Sequence, residues 1–148
     1  MYKKILIATD GSDPSVKAVK HGAGLAKAIG AKVVITNVTE IWSALEVARA
    51  AESGINDPIE QYEKLADRAA EKTLAAAAAI AKEAGVDTET LHVRDQAAAE
   101  GIVSAAKEQK CDLIVTGTHG RRGINRMVLG SQAVKVLQHS EIPVLVVR

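Results

Sequence analysis

Residues 113–134 read LIVTGTHGRRGINRMVLGSQAV. An apolar, β-branched run reaches Thr116 and Gly117, and a helical pattern sets in at Ser131. Residues 117–131, at the junction, contain four glycines, three arginines and one histidine. A strand, a glycine-rich connection and a helix follow one another here, and the rest of the chain repeats the alternation.

Reading outward, KILIAT (4–9), KVVITNV (32–38), TETLHV (88–93), LIVTG (113–117) and PVLVV (143–147) are strand candidates rich in β-branched residues and leucine. Three are apolar nearly throughout, as expected of strands covered on both faces. TETLHV alternates, which suits an edge. Helices are expected over 13–29, 58–84, 97–109 and 131–139. Ser12 or Asp13 can cap the first, with Pro14 tolerated in its first turn, and Gly30 and Gly85 end the first two. The alanine run 75–79 signals helix propensity and close packing. Strand–helix repeated four times and closed by a strand specifies an α/β fold, an open five-stranded parallel sheet with helices on both faces. No repeat or linker divides it, so residues 1–148 are expected to be one domain. Residues 39–57 are too long for an ordinary connection and leave room for a short helix. Trp42, within them, is read as packing under that loop rather than touching a ligand.

Composition narrows the function. The 148 residues carry a formal net charge of +1, which gives no reason to expect binding to nucleic acid or anionic membrane. With no Phe, two Tyr and one Trp, the chain lacks the aromatic platforms of a single-strand binder. The N-terminus reaches Asp10 too soon for a signal peptide, and no window approaches the ~20 apolar residues of a membrane span. The single cysteine, Cys111, rules out an internal disulfide and reads as a small, semi-buried residue. A cytoplasmic protein is expected.

In open α/β sheets, ligands bind beyond the carboxyl ends of the strands, where strand order reverses. TDGS (9–12) and TGTHG (116–120) are small, polar strand ends suited to that place, and they meet if the first and fourth strands are neighbours. Gly117, Gly120, Gly123 and Gly130 can take positive φ and bring bare backbone to a ligand. Gly130 and Ser131 fall where the last helix begins, so its free N–H groups suit an anion, above all a phosphate. Ser131 can donate to a phosphate oxygen or cap its own helix. Arg121, Arg122 and Arg126 add a positive field that steers more than it anchors. Neither the P-loop pattern nor the dinucleotide fingerprint is present.

The pattern G-x2-G-x9-G-[ST], met by Gly117, Gly120, Gly130 and Ser131, resembles the nucleotide-binding signature of the universal stress protein family. The likeness extends through KILIATDGS, VVITNV, CDLIVTGTHGRRG and VLGSQAVKVLQHSEIPVLVVR, the length of the chain. The resemblance implies a Rossmann-like sheet in the order 3-2-1-4-5, as in the adenine nucleotide alpha hydrolases, and ATP as ligand. Thr9 and Asp10 would then lie beside the adenosine, with Asp10 near the ribose or a phosphate-bound Mg. Capping the first helix is an equal reading of Asp10. Val38 resembles the position whose backbone reads the adenine edge, while Gly117, Gly120, Gly130 and Ser131 would hold ribose and phosphates. Thr118, His119 and Arg121 count with the cofactor-binding set by position. His119 and the arginines lie in the signature's variable spacer, so no role transfers to them. Gln132 replaces the apolar residue common after Gly-Ser, and a backbone N–H contact there survives the change.

No catalytic constellation stands out. His21 and His139 fall on helical patterns as surface residues, and His92 sits in an edge strand without a recognisable partner. A phosphoacceptor receiver would want an Asp ending the third strand, where this chain has Val93 and Arg94. The expected function is an ATP-binding regulatory protein with slow or no hydrolysis. The alternative is a nucleotide-independent dimeric interaction module. The apolar final strand, IPVLVV, invites pairing with a twofold-related copy, and a homodimer through that edge is expected.

Overall fold

Three strands carry the centre of the molecule because each holds a run of buried, mostly apolar residues covered on both faces. They are β1 (Lys4–Ala8), β2 (Lys32–Thr39) and β4 (Leu113–Gly117), flanked by β3 (Thr88–Arg94) and β5 (Val144–Val147). The computed structural model describes residues 1–120 and 128–148, so Arg121, Arg122, Gly123 and Arg126 lie outside the described residues. All strand pairs are parallel, and the order is β3-β2-β1-β4-β5. β3 is an edge strand, as its alternating pattern suggests.

Side-chain alternation splits the core into two layers. On one face Ile5, Ile7, Val33, Ile35 and Val115 pack with Val19 and Ala23 of α1 (Asp13–Ile29) and with Leu74 and Ala77 of α3 (Pro58–Glu83). On the other, Leu6, Val34 and Ile114 meet Ala99, Ile102 and Ala105 of α4 (Ala98–Glu108) and Val136 of α5 (Ser131–His139). Ile5, Leu6, Ile7, Ile35 and Ile114 are fully buried. Each such side chain contributes about 1.5–3 kcal/mol of apolar burial.

The expected helices form with ends within a residue or so of the reading. α1 stops at Gly30, whose φ of 70° is the left-handed value an L side chain resists. The long connection holds a short helix, α2 (Ala44–Glu52), started by a capping box between Ser43 and Glu46. Trp42 stacks on Tyr62 of α3 with ring centroids 4.7 Å apart, so it packs within the protein as expected. His21 and His139 are exposed. Among the described residues no helix is long and apolar enough to cross a membrane.

Cys111 is buried more deeply than expected, at 6% exposure, because it faces the α4–α5 layer. Burial pushes its thiol up to about 11, and the thiolate is the reactive form. Alkylation with iodoacetamide near pH 8 is therefore expected to leave native Cys111 unmodified and to label it only after unfolding. Mass spectrometry of the two samples checks this.

Candidate nucleotide-binding site

The strand order reverses between β1 and β4, and a cavity of about 430 Å³ opens at the carboxyl ends of the sheet there. Ala8, Thr9 and Asp10 enter it from β1, Thr36, Val38 and Glu40 from β2 and beyond, and Thr116 and Gly117 from β4. His119, Gly120, Gly130 and the first-turn residues Ser131, Gln132 and Ala133 line it too, as do Ala98 and Ile102 of α4. Of the site residues read from sequence, Thr9, Asp10, Val38, Gly117, His119, Gly120, Gly130, Ser131 and Gln132 line this space. Thr118 does not. It is 8% exposed and serves the loop, its N–H bonded to Val147 O at 3.0 Å and its carbonyl accepting Gly130 N–H at 2.8 Å.

The glycines are needed for a different reason than positive φ. Among the described residues, Gly11, Gly30, Gly54 and Gly85 have left-handed φ, and Gly117, Gly120 and Gly130 do not. What excludes a side chain is close approach. A Cβ on Gly117 would lie 2.8 Å from the main-chain carbonyl of Pro14, and one on Gly130 would lie 2.8 Å from Thr118 O. Bare backbone lets the β4 loop seat against the start of α1 and the start of α5 seat against the loop.

Thr9 is a builder of the site. Ser15 Oγ donates to Ser12 O at 2.9 Å and so accepts from Thr9 Oγ1, also 2.9 Å away. Thr9 Oγ1 in turn accepts Gly11 N–H at 3.2 Å, and Thr9 O accepts Asn37 Nδ2 at 2.9 Å. Asp10 Oδ1 accepts from Ser12 N at 3.0 Å and Ser12 Oγ at 2.5 Å. Ser12 is the N-cap of α1 but makes no side-chain cap bond. Asp10 thus steadies the entry to α1 without itself capping it. Its Oδ2 faces Gly120, which bridges the ends of β1 and β4.

At the other side, Gly130 takes the N-cap position of α5 with no side-chain cap. Ser131 is therefore the first helical residue and does not cap its helix; its hydroxyl is exposed at the cavity. The first-turn amides of a helix have no partner within it, and those of α5 belong to residues that wall the cavity. His119 Nδ1 shares a 3.0 Å hydrogen bond with Thr118 Oγ1. Its buried Nε2 has no partner among the described residues. The described ionisable lining groups are Asp10, Glu40 and His119; among the described residues, the α5 terminus adds a positive end to this wall. No group of three or more His, Cys, Asp or Glu that could hold a metal occurs among the described residues.

Sequence reasoning missed the lining residues Ser15, Thr36, Glu40, Ala98 and Ile102. Thr36, a polar residue in an apolar strand, carried a signal; the others did not. It also missed the partners of His92. His92 Nε2 lies 2.6 Å from Thr39 Oγ1, and Nδ1 lies 3.5 Å from Asp67 Oδ1, which Arg94 Nε also binds at 2.8 Å. The reason is tertiary, since Asp67 comes from α3. Burial first, then Arg94, pulls the imidazole below its ordinary 6.5, against Asp67, Glu71 and Asp95. The folded chain then binds fewer protons than the unfolded one below 6.5, so this contribution to stability falls with acidification. Urea midpoints from about pH 7.5 to about 5.5 are expected to drop more for the wild type than for His92→Gln.

An open parallel sheet with a ligand-sized hollow at its switch point, floored by glycine backbone and a helix start, defines the Rossmann-like class of nucleotide-binding folds. The chain belongs to the universal stress protein family, whose model matches residues 1–148. A universal stress protein of Methanocaldococcus jannaschii is 36% identical over 148 residues, covering 100% of this chain and 83% of that protein. Another, from Bacillus subtilis, is 36% identical over 157 residues and covers both chains fully. A universal stress protein solved in complex with cAMP is 29% identical, with a TM-score of 0.70 over 99% of this chain and 97% of that one.

Proposed function

We propose that the protein is an ATP-binding regulatory member of its family, acting without rapid hydrolysis. The observation that carries this reading is the cavity between β1 and β4, walled by the first turn of α5. Ser131, Gly130 and the amides beside them take the phosphates, with Gly117 and Gly120 beneath. Val38, Ala98 and Ile102 supply the apolar walls that suit a planar base. Asp10 holds the ribose or contributes one oxygen to a nucleotide-bound Mg. Gln132 contributes its backbone N–H. Arg121 remains in the proposed site by its place in the sequence. The cAMP complex of a relative supports an adenine nucleotide as the ligand class.

A regulatory role fits the side chains near the phosphate end. Thr118 holds His119 Nδ1 while the ring's Nε2 is buried, so the oriented imidazole at the cavity presents no exposed nitrogen to activate a water. We further propose one domain, a cytoplasmic location and a homodimer through β5, which ends the sheet order among the described residues.

Calorimetric titration of the purified chain with MgATP, beside mass spectrometry of any co-purifying ligand, tests the site. Saturable binding that Gly120→Val abolishes while circular dichroism stays unchanged is expected, since the valine would meet the movable Asp10 carboxylate. No binding by the wild type would leave the nucleotide-independent interaction module as the better reading. Turnover above roughly one per minute, itself far below the usual enzymatic rate near 10 s⁻¹, would overturn the non-enzymatic role.

A further inference from the structure

One part of the cavity wall is tied to a segment that takes no part in the sheet. Glu40 directly follows β2 and forms part of the cavity wall. Its Oε1 accepts a long 3.4 Å hydrogen bond from Ala98 N–H at the start of α4. That helix has Ala97 as N-cap and no side-chain cap, so its first turn takes this acceptor from a distant part of the chain. The main-chain carbonyl of the same Glu40 accepts a 2.8 Å hydrogen bond from Tyr62 Oη. Tyr62 lies on Trp42 with ring planes 12° apart, and Trp42 leads into Ser43, the N-cap of α2.

We infer that Glu40 and Tyr62 form a strap that reports occupancy of the cavity to Trp42 and α2. The inference rests on the ATP reading above and deepens it into regulation of the same site. The link to Ala98 is at the weak end of hydrogen bonding and is set on an exposed side chain, so it gives way readily. A nucleotide base lying between Val38 and Ala98 presses on the Glu40 side chain beside them. Thr39, one residue earlier, is pinned by His92 at 2.6 Å and acts as the pivot. The displacement therefore passes forward, through the Glu40 carbonyl, to Tyr62 and the ring stacked on it. Burial, then Glu46, Glu40 and Asp95, raises the Tyr62 phenol, which keeps it a donor at neutral pH. Beyond the strap, Ile41 and Leu45 are 72% and 59% exposed, so the setting of an apolar surface follows the state of the cavity.

Trp42 is the sole tryptophan, so its emission reads the strap without a label. Calorimetry and fluorescence are titrated side by side with MgATP, on the wild type and on Tyr62→Phe, and hydrogen exchange is followed over residues 44–52. The wild type is expected to bind ATP by calorimetry and to change its emission with the same midpoint, with altered exchange in α2. Tyr62→Phe is expected to bind within about twofold of the wild type while losing at least about two-thirds of the emission amplitude and the α2 response, as removal of a coupling contact requires. ATP binding with silent emission and unchanged exchange would overturn the strap and leave the nucleotide site standing. Full amplitude in Tyr62→Phe would overturn it too, because the base would then be acting on the indole directly. Absence of calorimetric binding would remove both the site and the strap.

Discussion

Gly117→Val is expected to destabilise the fold by about 3 kcal/mol, the upper range for forcing atoms into a packed region. In Tm this is a fall of about 10 °C for a chain of this size. The Cβ alone would sit 2.8 Å from both the carbonyl carbon and the carbonyl oxygen of Pro14, and 3.0 Å from Ser15 N. These are main-chain atoms at the start of α1, a helix buried through Ala18, Val19 and Ala23, so they cannot swing aside. β4 and α1 must part, and both enter the cavity wall. Gly120→Ala is the control. Its Cβ would meet only the tip of the Asp10 carboxylate, at 2.7 Å, and a cost below about 1 kcal/mol is expected because that side chain can turn. Urea denaturation of the two variants separates the cases. Equal costs would mean that close approach is not what glycine serves at 117.

Gly130→Val is expected to weaken ATP binding by about a hundredfold or more, some 2.7 kcal/mol, with most of the stability retained. Gly130 N–H donates to Thr118 O at 2.8 Å, and a Cβ there would lie 2.8 Å from that same oxygen and 3.3 Å from His119 Cα. The first turn of α5 must lift from the loop. The rest of the helix stays, because Ala133 and Val136 remain buried at 4% and 0% exposure. Amides aimed at a phosphate lose most of their value when moved by an ångström, since charge-assisted hydrogen bonds depend steeply on distance and angle. Ser131→Ala removes one hydroxyl and keeps the backbone in place, so a loss of about three- to tenfold is expected. Calorimetry for affinity and circular dichroism for the fold check both. Wild-type affinity in Gly130→Val would exclude the start of α5 from the site.

Much of this arrangement was legible along the chain. The apolar runs at Lys4–Ala8, Lys32–Thr39 and Leu113–Gly117 carry the period of buried strands, and the helices end where glycine stops them. The order 3-2-1-4-5 was not in the periodicity; it came from the family resemblance, and the sheet has that order. His92 lacked a visible partner because Asp67 lies in another element, and such pairs carry no fixed spacing. Ser131 looked equally able to cap α5 or meet a ligand. The choice fell to Gly130 as N-cap because only a residue without Cβ fits beside Thr118 O.

Local chemistry alone settled which segments are strands and helices, that they alternate, and that the loop after β4 is where backbone is left bare, since propensity, capping and hydrophobic period act within a few residues. Packing decided the rest. It brought Glu40, Ala98 and Ile102 to the cavity that Ser131 also lines, used up the hydroxyl of Thr9 in building the floor, and required glycine at 117 and 130 through collision rather than through φ. These are contacts between atoms far apart in the chain, and they exist only once two buried layers have set the strand order and the depth at which each helix sits.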